Sequence, residues 1–178
     1  MADTDWQMNE ADRRKEESDR EREQLRKQME ETKRVIGKLG NQFGEIEDYE
    51  VAPRVMEKFN ELGFAFDQVS RNIVISDSSG RFVMGIDVRL ENGDMVMAVQ
   101  VIYKPVPKDV DEHVSRMEVL RRRADIRHDS RKIRGAIAGA VMDKPVRNYA
   151  HKAGFYTIEQ AGDTVKINVP EGFIPGEW

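Results

Sequence analysis

From Met8 to Ile46 a heptad register can be written, its seam positions at alternating steps of three and four. Met8, Lys15, Arg22, Met29, Ile36 and Phe43 occupy one seam position, and Ala11, Ser18, Leu25, Thr32, Leu39 and Ile46 the other. The seam is apolar from Leu25 onward and polar before it, where Lys15, Ser18 and Arg22 stand. A second helical pattern covers Glu45 to Leu62, with Ile46, Val51, Val55, Met56 and Phe59 on one face, Pro53 as a point of kinking or restart, and Gly63 as its cap. The period then shortens to two. Phe64 to Ile75 predicts a first strand and Ser76 to Gly80 a turn. Arg81 to Lys104 predicts a hairpin folded at Glu91-Asn92-Gly93-Asp94, with the Asn-Gly pair supplying positive φ.

Pro105 and Pro107 end that strand. A charged helix over Lys108 to Ala124 follows, with Val110, Val114, Met117 and Leu120 on one face. The small-residue run Gly135 to Met142 predicts a strand buried on both faces. Lys144 to Ala153 predicts a short helix capped by Gly154, and Phe155 to Gln160 with Thr164 to Val169 a closing strand pair. This order of elements predicts an α/β sandwich around a mixed sheet over residues 41–178, preceded by a coiled-coil helix over 1–40. Gly37, Gly40 and Gly44 read as a hinge between the two.

Composition narrows the chemistry. Among 178 residues there is no cysteine, which removes disulfides, thiolate zinc sites and cysteine nucleophiles. No apolar run approaches the length of a membrane span, so a cytoplasmic protein without a membrane partner is expected. The net charge of −4 gives no global attraction to nucleic acid, which must then use a local patch. The densest basic run is Arg121, Arg122, Arg123, Arg127, Arg131, Lys132 and Arg134; it reads either as a phosphate-binding patch or as a solvated helix end. Asp125 and Asp129 dilute it, and no aromatic residue interleaves. His113, His128 and His151 share no metal-ligand spacing. On the heptad helix, Arg14 with Asp19 and Glu21 with Arg26 favour a parallel homo-oligomer over a solvated single helix.

An acidic residue, Asp87, stands on one strand of the hairpin, and Gln100-Val101-Ile102 on the next. With this order of elements, the Gly44-Glu45 helix start, Gly85-Ile86-Asp87, and Gly154-Phe155-Tyr156-Thr157-Ile158, residues 40–178 resemble the PD-(D/E)XK nuclease superfamily. The closer likeness is to a prokaryotic subgroup with an N-terminal coiled coil. The resemblance implies a restriction-endonuclease-like fold in which carboxylates on neighbouring strands hold Mg²⁺ and a lysine two residues past the second acid steadies the attacking water. On this pattern Glu45 matches the helix acid, Asp87 the first strand acid, Gln100 the second acid and Ile102 the lysine, making Glu45, Asp87 and Gln100 the metal set.

Gln100 lowers the charge of such a site, and Ile102 offers neither charge nor hydrogen bond. Lys104, two residues further, is the candidate replacement cation. Outside the resemblance, Asp87 would serve as an edge or turn residue, Glu45 as a helix-start acid and Gln100 as a satisfied amide. Three functions follow as expectations: a degenerate nuclease-fold protein that binds and assembles, an active Mg²⁺-dependent nuclease with a rearranged site acting on DNA or RNA, or a structural coiled-coil assembly protein.

Overall fold

The computed structural model describes Lys15 and residues 17–29 and 51–178. The chain divides into two compact units, Met1–Gln42 and Phe43–Trp178. Within the first, residues 17–29 form helix α1, with Glu23 bridging to Arg26 at 2.9 Å. Leu25 and Met29, the two apolar seam residues in that span, are 64% and 61% exposed. The rest of the predicted coil, the glycine hinge and the helix start at Glu45 lie outside the described residues.

In the second unit six strands, β1 (Gln68–Ser76), β2 (Phe82–Glu91), β3 (Met95–Ile102), β4 (Lys132–Gly139), β5 (Tyr156–Ala161) and β6 (Thr164–Asn168), form one sheet in chain order. Neighbours pair antiparallel except β3 with β4 and β4 with β5, which are parallel. The sheet is therefore mixed, as the pattern of elements predicts. Helix α2 (Val51–Glu61) covers one face, and α3 (Pro107–Ile126) and α4 (Lys144–Lys152) cover the other. No helix among the described residues is long and apolar enough to cross a membrane.

Helix α2 docks through Ala52, Val55 and Phe59, a helical spacing that aligns three apolar groups on one stripe. Phe59 is fully buried and meets Phe64, Phe66 and Tyr156 edge to face at 5.3, 6.1 and 5.5 Å, the arrangement ring quadrupoles favour. On the opposite face Val110 and Met117 are fully buried, as the apolar stripe of α3 predicts, and His113 joins them at 3% exposure. Strand β4 is buried from Gly135 to Gly139 between its parallel neighbours. Its small residues admit large ones from the helical layer: a Cβ on Gly135 would lie 2.5 Å from Cε1 of Phe155. Gly135→Ala is expected to cost about 2 kcal/mol in urea unfolding, because Phe155, fully buried, has little room to move.

The hairpin turn forms by a different device from the one its Asn-Gly pair predicts. Neither Asn92 nor Gly93 has positive φ. Instead Asn92 Oδ1 accepts from the backbone N–H groups of Asp94 and Met95, each at 2.9 Å, while its amide donates to the Phe64 carbonyl at 2.9 Å. The side chain mimics a backbone turn and needs no left-handed residue.

Candidate functional site

Positive φ appears instead at Asn72, at +49°, on the edge strand β1. Asn72 lies between the paired positions Arg71↔Val88 and Ile73↔Ile86, opposite Asp87. Strands normally place alternate residues on one face, yet Val69 packs with the α2-side core while Ile73 and Ile75 pack with the α3-side core. On β2 the same switch separates Met84 and Ile86 from Val88 and Leu90. The two strands thus change faces together at Asn72 and Asp87. The pairing of β2 with β3 also stops there, its last partners being Val88 and Val99.

That ladder end leaves the β3 backbone N–H of Val101 without a strand partner from β2. Asp87 takes it: Oδ2 accepts from Val101 N at 2.7 Å and from Gln100 Nε2 at 2.7 Å. The other end of the same amide, Gln100 Oε1, accepts from Nη1 of Arg116 on α3. The partners fix the amide orientation, since a carboxylate can only accept and a guanidinium can only donate. The result is a chain of charge-assisted bonds from Arg116 through Gln100 to Asp87. Burial raises the Asp87 pKa above the usual carboxylate value, and the Val101 N–H and the Arg116 charge pull it back part of the way.

Asp87 also lines a cleft at the carboxyl ends of the parallel strands, with Val101, Gly139, Glu159 and Gln160 opposite it and α2 as its roof. Such strand ends are where open α/β sheets commonly carry ligands. This cleft has about 20 Å³ of free space, enough for roughly one water. Its other carboxylate, Glu159, is engaged on both oxygens, by Arg147 at 2.6 Å and by Asn168.

A Mg²⁺ ion requires several oxygen ligands in near-octahedral order, with at least one or two carboxylates from the protein. Among the described residues no three His, Asp or Glu side chains gather where a metal could be held. Gln100 directs its carbonyl oxygen at a cation and its NH₂ at Asp87, so the donor atom a metal would need faces away. The described residues do not fit the ion.

The remaining expected site residues fall elsewhere. Glu45 lies outside the described residues. Ile102 is the last residue of β3 and is half-buried. Lys104 lies beyond the strand, where period two no longer applies, and pairs with Asp143 at 3.3 Å. Arg116 was not among the expected residues. Its signal was present in the sequence, because it follows His113 by three positions and so shares the sheet-facing side of α3.

The basic run is largely occupied within the fold. Arg121 bonds Asp125 at 2.8 Å and the carbonyls of Arg131 and Asp129 at 2.9 and 2.5 Å. Arg123 donates to the Ser76 carbonyl at 3.2 Å. Arg131 pairs with Asp129 at 2.7 Å and Glu91 at 3.1 Å, and holds the Asp129 carboxyl down to about 2. Lys132 and Arg134 share Glu177 at 3.2 and 3.6 Å. Arg122 and Arg127 are exposed, and ion-paired with none of the described residues. His128, two residues beyond α3, has a left-handed conformation at φ +57°, and His151 meets Thr157 Oγ1 at 2.9 Å.

No protein-family model matches the chain, and no curated protein matches it. Among solved structures it is similar to the small subunit of the heterodimeric restriction endonuclease R.BspD6I, at 15% identity and a TM-score of 0.32, over 70% of this chain and 71% of that one. A likeness at that level assigns no residue and no chemistry.

Proposed function

We propose that this chain is a nuclease-fold protein whose site has been converted from metal chemistry to a structural latch, and that it works by binding and assembly. The observation that carries this reading is the orientation of Gln100, whose amide ties Asp87 to Arg116 and presents no oxygen to a metal. Ile102 supports it, because a branched aliphatic side chain can neither donate a hydrogen bond nor carry charge where a nuclease of this resemblance keeps its lysine. Lys104, beyond the end of that strand, pairs with Asp143 at 3.3 Å rather than with Asp87.

Incubation of the full chain with single- and double-stranded DNA and RNA, in Mg²⁺ and then Mn²⁺, is expected to give no cleavage above that of an Asp87→Ala variant. Cleavage that disappears with Asp87→Ala would instead establish the active nuclease with a rearranged site.

Assembly is assigned to the N-terminal helix. Leu25 and Met29 present apolar groups to solvent on α1, a cost that a homo-oligomeric seam removes. The chain is expected to scatter light as an oligomer, and a Leu25→Asp, Met29→Asp variant as a monomer. Equal masses for the two would remove the seam from the account and leave the latch untouched.

A further inference from the structure

On the α3 side of the sheet, a pocket with about 330 Å³ of free space opens between the last turns of α3 and strands β1 and β2. That volume lies in the range of small-molecule sites, whereas the cleft beside Asp87 admits about one water. Ile73, Ile75, Ile86 and Leu120 line its interior. Arg123 and Arg127 contribute positive charge, while Arg89 is paired with Glu91 at 2.6 Å.

We propose that this pocket binds an aliphatic carboxylate, with the chain on the isoleucine and leucine floor and the head group on Arg127 and Arg123. This site is independent of the latch at Gln100. Two observations favour an anionic head. The Arg127 side chain is exposed and ion-paired with none of the described residues. The acidic side chain in the lining, Asp129, is already held by Arg131 through bonds of 3.0, 3.2 and 2.7 Å, so it offers little repulsion. The tail assignment follows from the lining, which contains no aromatic side chain to stack a base or ring. A floor of branched aliphatic groups recognises methylene chains by burial alone.

The test is calorimetric titration of the full chain with hexanoate, octanoate and decanoate. One-site binding is expected, tightening by up to about fourfold per added methylene as each is buried. Arg127→Ala is expected to weaken decanoate about tenfold, the loss of one charge-assisted contact, and Arg127→Lys to recover part of it. The variant should retain the wild-type melting temperature, since the helix-end bonds of Arg127 are made by its backbone N–H to Ala124 and Arg123. No decanoate binding, affinity indifferent to chain length, or affinity unchanged by Arg127→Ala would each overturn the proposal. So would binding to anionic phospholipid vesicles without binding of monomeric decanoate, which would mark a lipid surface site instead.

Discussion

Gln100→Glu is expected to destabilise the chain by about 2–3 kcal/mol at pH 8, and to make its stability respond to divalent metal. The substitution places a carboxylate oxygen where Nε2 now sits, 2.7 Å from Asp87 Oδ2. Two carboxylates that close cannot both ionise without a large repulsion, so one pKa of the pair is pushed up. The sign follows from linkage. A carboxyl pKa raised in the folded state leaves the full penalty above that pKa and relieves it as pH falls through it. The variant should therefore approach wild-type stability near pH 4, and millimolar Mg²⁺ or Mn²⁺ should raise its melting temperature at pH 8 by supplying a counter-charge. Wild type should show no such metal response, because its amide donates to Asp87 Oδ2 and adds no second negative charge.

The second large effect is the acid dependence of the wild-type chain. His113 is 3% exposed, its Nε2 lies 3.3 Å from the Ala98 carbonyl, and its ring sits 4.6 Å from that of Phe155. Burial lowers its pKa from 6.5 to about 4; the Arg116 charge adds to the decrease, while the Ala98 and Ala136 carbonyls oppose it. On acidification the unfolded chain binds this proton first. Stability is thus complete above pH 6.5 and declines as pH falls toward 4, by about 3 kcal/mol from this group. Urea unfolding across pH 4–7 measures it. His113→Phe should flatten that part of the profile, while a slope unchanged by the substitution would assign the acid sensitivity to other groups.

Much of the fold was legible because it rests on local period and punctuation. Helix α4 and the β5–β6 pair lie where the closing pattern and its glycines place them, and the small residues of β4 announced a doubly buried strand. The features that escaped depend on what lies across the sheet. His113 lies three residues after Val110 and four before Met117, on the stripe the α3 pattern marks, but the pattern does not show that Phe155 and the Ala98 carbonyl receive its neutral ring. The face switch at Asn72 and Asp87 breaks the very alternation by which strand faces are read.

The candidate site divides in the same way. The resemblance placed Asp87 and Gln100 on adjacent strands, and the fold brings them into contact. What it could not supply was the third partner. Arg116 arrives from a helix sixteen residues further along the chain, and its guanidinium turns the Gln100 amide from a candidate metal ligand into a bridge. The basic run shows what a count of charges leaves out, the partners within the fold: Arg121 and Arg131 are held by carbonyls and carboxylates of α3 and the neighbouring strands.

The central claim, that Asp87 is latched rather than poised to hold a metal, is tested most directly by Mn²⁺ binding to the full chain, followed by electron paramagnetic resonance at pH 7.5. The account predicts no site tighter than about 1 mM that depends on Asp87, a weakness expected of one carboxylate acting without a second. A Mn²⁺ site of micromolar affinity in the wild type, abolished by Asp87→Asn, would contradict it.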